Sequence, residues 1–117
     1  MKSDLVITFG SQVSGTSSPA SDYDVAVLSS HPLNLKEKSK FASKIAAKLK
    51  ISEDRIDLID LWVAPPLLQR QIADGGKLLE GDGFDFLRFK VLAWKRYLDT
   101  AKFRRAREKT LANHYAK

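Results

Sequence analysis

Residues 5–28 have the sequence LVITFGSQVSGTSSPASDYDVAVL, in which two apolar runs enclose a polar loop. The first run, residues 5–9, is β-branched and aromatic, and it stops at Gly10, a pattern typical of a buried strand. The second run, residues 23–28, predicts another short strand. The loop between them is rich in glycine, serine and threonine, with room for a helical turn after Ser11. This strand–loop–strand unit decides the fold class.

The chain beyond this unit alternates helix and strand patterns. Asn34 followed by Glu37 resembles a capping box, and it opens a helix with apolar residues at helical spacing. Further on, the pattern predicts a third strand over 56–62, a helix from Pro65–Pro66 to Ala73, a short edge strand over 77–80 and a long helix after Gly83. Such alternation predicts an α/β fold with a small mixed sheet flanked by helices.

Composition narrows the class of protein. The 117 residues are enough for a single domain, and the absence of cysteine excludes disulfides and thiolate chemistry. No apolar run approaches the roughly 20 residues that span a bilayer, so we expect a cytoplasmic protein without a membrane partner. The net charge is +6, and residues 84–117 alone carry ten basic and three acidic side chains. The basicity therefore belongs to the C-terminal segment.

Two aspartates at the start of the second strand carry the chemistry. Asp22 and Asp24 are two residues apart, so on a strand they point to one face, roughly 6.6 Å apart along the chain. Their mutual repulsion favours a hard cation such as Mg²⁺. The Gly10-Ser11 turn lets a phosphate approach the backbone. Either feature alone is usually an ordinary turn or a solvated acid, but together they indicate phosphoryl or nucleotidyl transfer.

Phe9-Gly10-Ser11, Gly15 and residues 21–27 resemble the signature of the minimal nucleotidyltransferase (MNT) antitoxins of the DNA polymerase β-like superfamily. The resemblance covers about residues 5–100. It implies a single nucleotidyltransferase domain over residues 1–117, with a core of about 5–80 and a basic C-terminal helix of about 84–112.

The same resemblance implies transfer of AMP from ATP to a tyrosine of a HEPN-domain RNase toxin, which silences the toxin. It places the triphosphate on Gly10 and Ser11 and two Mg²⁺ ions on Asp22, Asp24 and a third carboxylate. The third carboxylate is Asp57 or Asp60, which face opposite sides of a regular strand. The resemblance favours Asp57, and Asp60 is then expected at the exposed end of the strand.

Other functions stay open at this point. The chain is also compatible with an antitoxin that masks its toxin sterically, or with a small-molecule nucleotidyltransferase of the aminoglycoside-modifying kind. Family members usually carry a helix before the first strand, so a partner or a second copy is expected to cover one sheet face here. The basic run after residue 101 is a solvated face or a contact to a partner or RNA. The preceding helix is expected to pack in the core through Leu87, Val91, Trp94, Leu98 and Ala101.

Overall fold

The computed structural model of the chain describes residues 4–10 and 22–115. Ser11 and the predicted helical turn lie outside the described residues. Within those ranges no helix is both long and apolar enough to cross a membrane. The elements are β1 (Leu5–Phe9), β2 (Tyr23–Leu28), α1 (Leu35–Leu49), a 3₁₀ turn (Glu53–Arg55), β3 (Ile56–Asp60), α2 (Pro66–Gly75), β4 (Lys77–Glu80) and α3 (Gly83–Tyr115).

The four strands form one mixed sheet in the order β3-β2-β1-β4. β1 pairs antiparallel with both β2 and β4, whereas β2 and β3 are parallel. The connection between the parallel strands contains α1, as a crossover requires. The predicted small mixed sheet flanked by helices is confirmed, and the third strand ends at Asp60, two residues earlier than predicted.

The sheet is buried on both faces, because successive apolar residues of its strands point alternately to one face and to the other. One set, with Ile7 and Ala26, packs under α2 and α3 against residues such as Ile72 and Phe89. The other set, with Val25 and Val27, packs under α1. Asp24 alternates with Ala26 and therefore lies on the face of α2 and α3.

Helix α1 begins as the sequence predicts. The Asn34 side chain accepts a hydrogen bond from the Glu37 N–H, and the Glu37 carboxylate accepts one from the Asn34 N–H. This reciprocal pair satisfies two backbone donors at the first turn. The helix buries Ile45 and Ala46 against the sheet.

The predicted apolar stripe of α3 is not its buried face. Leu87, Val91 and Leu98 are 57%, 61% and 54% exposed, and Trp94 is also exposed. The helix packs instead through Phe89 and Ala93, with Phe86 beside them, on a face one residue (about 100°) away. Large apolar side chains lie on both faces of this helix, so its periodicity does not identify the core.

Contacts with α2 lie beside the buried face of α3. The guanidinium of Arg70 lies over the rings of Trp94 and Tyr97, 4.2 and 4.5 Å from their centroids. The Trp94 indole N–H donates to Asp74 Oδ1 at 2.9 Å. Ala93 is fully buried. These contacts join residues far apart in sequence, so they depend on tertiary packing.

Candidate active site

Carboxylates from two strands meet where β2 and β3 begin. Asp24 of β2 is the register partner of Asp57 of β3, and parallel partners lie on one face at the strand spacing of roughly 5 Å. Asp22 lies immediately before β2 and is exposed, as is Asp57. The parallel pairing therefore places Asp57 beside the Asp22–Asp24 pair.

The neighbouring carboxylates affect the ionisation of Asp24. Burial raises the pKa of the Asp24 carboxyl, and the neighbouring charges of Asp57 and then Asp22 raise this pKa further. Both effects disfavour the charged form of Asp24. Asp24 thus lies at this edge of the sheet within the repulsive field of two neighbouring carboxylates.

Gly10 directly follows β1 and lies beside the Asp24 carboxylate. Phe9 is the register partner of Asp24, so the chain turns at Gly10 beside the Asp24 side chain. A Cβ on Gly10 would lie 2.2 Å from Asp24 Oδ2, and the backbone φ of +82° is one that side chains rarely adopt. Glycine at this position therefore makes room for the carboxylate, a role that the sequence pattern did not indicate.

Asp60 has a different environment. It is 4% exposed, and its two carboxylate oxygens accept hydrogen bonds from the backbone N–H groups of Leu33, at 2.8 Å, and Trp62, at 2.9 Å. The expectation that Asp60 lies at an exposed strand end is wrong, because the carboxylate joins the loop before α1 to the segment after β3. Its oxygens are used within the fold.

The predicted site residues are thus brought together, as far as the structure describes them. Gly10, Asp22, Asp24 and Asp57 lie at one edge of the sheet, and Ser11 is outside the described residues. Within residues 4–10 and 22–115, no three acidic, histidine or cysteine side chains form a ready-made metal cage. A cation at this edge would therefore need ligands from elsewhere, such as a nucleotide.

A second feature, which the sequence did not predict, lies at the other end of the same sheet face. A cavity of about 490 Å³ opens between the ends of β2 and β3 and the first turns of α3. Its lining includes Leu28, Leu61, Trp62, Phe89 and Leu92. These residues come from distant segments, and only the packing of α3 places them together.

A nucleotidyltransferase is the class of protein that this sheet, its glycine turn and its paired aspartates define. The family model of the polymerase β nucleotidyltransferases matches residues 2–82 of the chain. The chain belongs to this family. Its resemblance to the MNT antitoxins is confirmed by the following relatives.

The protein adenylyltransferase MntA of Shewanella oneidensis is 34% identical over 96 residues, which are 82% of this chain and 67% of that protein. A crystal structure of a toxin–antitoxin with AMP-PNP matches with a TM-score of 0.74 and 32% identity, over 92% of this chain and 84% of that one. The MNT antitoxin in complex with the tri-AMPylated HEPN toxin of S. oneidensis matches with a TM-score of 0.66 and 29% identity, over 92% and 81% of the two chains.

Proposed function

We propose that this chain is an antitoxin enzyme that transfers AMP from ATP to a tyrosine hydroxyl of a HEPN-domain RNase toxin and thereby neutralises it. The observation that carries the proposal is the convergence of Asp22, Asp24 and Asp57 beside Gly10. Relatives that are a protein adenylyltransferase and the antitoxin of an AMPylated HEPN toxin support the choice of reaction.

The residues fit Mg²⁺ by their chemistry. The edge offers carboxylate oxygens, which this ion prefers, and the chain has no cysteine. Asp22, Asp24 and Asp57 would hold two ions together with oxygens of the nucleotide phosphates, because Mg²⁺ is usually bound by one or two carboxylates plus substrate. When bound, the metal would neutralise phosphate charge during the displacement.

The protein residues then bind, orient and accept a proton. We assign Gly10 and Ser11 to the triphosphate, because a glycine turn at the end of a strand lets phosphate oxygens reach backbone N–H groups. The acceptor tyrosine oxygen attacks the α-phosphorus, and the bond to the pyrophosphate group breaks.

The tyrosine proton needs a base, since a phenol has a pKa of about 10. We assign this role to Asp57, which is exposed, whereas Asp24 lies half-buried against Gly10. A carboxylate within hydrogen-bond reach of the acceptor would take the proton as the new phosphorus–oxygen bond forms.

Co-expression tests the proposed function. Each HEPN protein of the source genome is expressed with this chain, and its intact mass is measured. We expect the added mass of one or more AMP groups, lost with Asp57→Asn and kept with Asp99→Asn, an exposed acid on α3. Toxin that is neutralised without added mass would instead identify a steric antitoxin.

ATP binding tests the metal assignment separately. Without a cation the carboxylates repel the triphosphate, so calorimetry should give an affinity for ATP at least about tenfold higher with Mg²⁺ than with chelator. In Asp24→Asn the difference should shrink. Equal affinities in both buffers for the wild-type protein would remove the metal from the mechanism.

A further inference from the structure

The cavity at the far end of the sheet shares a face with the carboxylates. Leu28 lines it, and Leu28 alternates with Ala26 and Asp24 on β2. Leu28 is the fourth residue after Asp24 on this strand, a distance of roughly 13 Å. A molecule held in this cavity therefore lies beside the reacting edge without occupying it.

The wall of the cavity combines an apolar interior with an ordered polar rim. Leu61 and Phe89 inside it are almost fully buried. On the rim, the Trp62 indole N–H donates to the Ser29 carbonyl at 2.7 Å, and Arg96 Nη1 donates to Gln69 Oε1 at 3.0 Å. Because these bonds fix the rim side chains, little ordering is left for a ligand to induce.

Exposed apolar side chains belong to the cavity lining and to its immediate neighbours in the chain. Leu92 and Trp62 line the cavity and are 39% and 50% exposed; Val63, beside Trp62 in the chain, is 69% exposed, and Phe84, beside Asp85, is 68% exposed. Such side chains offer apolar contact area to a partner at this cavity. Trp62, half-exposed at the cavity, and the arginines of its rim belong to the residue types that dominate binding energy in protein interfaces.

The net positive charge at the cavity favours a partner that carries acidic groups. Arg88 and Arg96 line it against one acid, Asp85. A partner segment with a large apolar side chain flanked by carboxylates matches both the interior and the rim. A nucleic acid would match the arginines but leave the apolar wall without a complement.

We propose that this cavity is the docking site of the protein substrate, with one large apolar side chain inserted and its neighbouring carboxylates facing Arg88 and Arg96. The proposal rests on the proposed function, since the substrate is the HEPN toxin. Binding energy gained roughly 13 Å from Asp24 would hold the acceptor hydroxyl near the carboxylates, so it should lower KM for the toxin.

Matched substitutions on α3 test the docking site. Leu92→Glu and Arg88→Glu change the cavity, whereas Leu98→Glu and Lys95→Glu make the same changes at exposed positions outside it. The co-expressed HEPN protein is purified, and its binding is measured in an Asp24→Asn background without ATP. We expect Leu92→Glu and Arg88→Glu to weaken binding at least about tenfold and the two controls to stay within about twofold.

Steady-state AMP transfer gives the second measurement. In the active protein, the two cavity variants should raise KM for the toxin while KM for ATP and kcat stay near wild type. Circular dichroism checks that each variant folds, which we expect because Arg88 is exposed and Leu92 is 39% exposed.

The outcomes separate the two proposals. Toxin binding that is unchanged by Leu92→Glu, or weakened equally by Leu98→Glu, overturns the docking site whatever the enzyme does. Leu92-dependent binding without AMP transfer supports the docking site and refutes the proposed reaction. Self-association of the chain that Leu92→Glu abolishes would identify the cavity as a contact between two copies and overturn the proposal, as would the absence of any HEPN association.

Discussion

Strand β3 carries an aspartate near each end, and the environments of the two carboxylates differ. Asp57 is exposed and is the register partner of Asp24, whose pKa is raised by burial and by the charges of Asp57 and Asp22. Asp60 is buried, and both of its oxygens accept backbone hydrogen bonds. At the start of β3, Asp57 lies beside other carboxylates, which is electrostatically unfavourable. At the end of the strand, the Asp60 carboxylate accepts hydrogen bonds that the fold would otherwise lack.

This is the difference expected between a carboxylate that serves the proposed function and one that serves the fold. A carboxylate that satisfies buried N–H groups contributes to stability, and removing it leaves those donors unpaired. Carboxylates that repel one another oppose folding slightly, and the proposed function accounts for them through a ligand of opposite charge. The comparison therefore predicts opposite effects on activity and stability at the two ends.

The largest effect is expected for Asp24→Asn. This change keeps the shape of the side chain but removes one charge from the carboxylate group, so AMP transfer to the toxin should fall roughly a thousandfold. The free energy of unfolding should stay the same or rise, because repulsion with Asp57 and Asp22 disappears. Transfer is followed by intact mass and stability by urea denaturation. A variant that loses stability instead would show that Asp24 supports the fold.

Asp60→Ala should show the reverse pattern. The buried N–H of Leu33 and the partly buried N–H of Trp62 would lose their acceptor, which we expect to cost about 3 kcal/mol of unfolding free energy. Transfer by the protein that is still folded should remain within about twofold of wild type at saturating toxin.

The matched variant on the same strand is Asp57→Ala. It should lose transfer while keeping its denaturation midpoint. If Asp60→Ala abolished transfer in fully folded protein, and Asp57→Ala did not, the assignment of the third carboxylate would have to be exchanged.

The sequence predicted the carboxylate end better than the opposite end, for a physical reason. Strand alternation, the capping box at Asn34 and the Asp-x-Asp spacing are local patterns, and each was sufficient to place its element or its side chains. Asp57 was favoured as the third carboxylate through the resemblance, and the parallel register places it beside Asp24.

The features that the sequence did not predict depend on contacts between distant segments. Both faces of α3 carry large apolar residues, and the packing of Phe89 and Ala93 into the core selects the buried one. The burial of Asp60 depends on a hydrogen bond with Leu33, 27 residues away. Periodicity contains no information about such pairs.

Gly10→Ala sharpens the comparison at the carboxylate end. The new Cβ would collide with Asp24 Oδ2, and the positive φ adds strain, so we expect about 2 kcal/mol of destabilisation. Because the collision displaces Asp24, transfer should also fall, by roughly tenfold. Both quantities are measured on the same preparation.

Gly75→Ala is the control for this variant, since a Cβ there meets no atom within 4 Å. In an Asp24→Ala background the collision partner is shortened, and Gly10→Ala should then cost clearly less stability. An equal cost in both backgrounds would assign the whole effect to backbone strain and none to the carboxylate.

The smallest effect concerns Glu80 on the edge strand β4, a carboxylate paired with cations rather than with other acids. Lys44 Nζ lies 3.1 Å from Glu80 Oε2, and Lys48 Nζ lies 3.3 Å from Oε1. The hydrogen bond from Lys44, and more weakly that from Lys48, lower the pKa of Glu80. Glu80→Gln should cost roughly 0.5 kcal/mol at neutral pH, since such partly exposed pairs contribute little.

The pH dependence of this variant tests the sign of the interaction. A lowered pKa in the folded state means that the contribution of Glu80 is present above the ordinary glutamate pKa and is lost as the pH falls through the folded value. The difference in unfolding free energy between wild type and Glu80→Gln should therefore shrink below about pH 4. A difference that stays constant through acid pH would mean that Glu80 acts through packing on α1 and not through its charge. The comparison with Asp24→Asn is one of sign: Glu80→Gln should lower the free energy of unfolding, whereas Asp24→Asn should leave it unchanged or raise it.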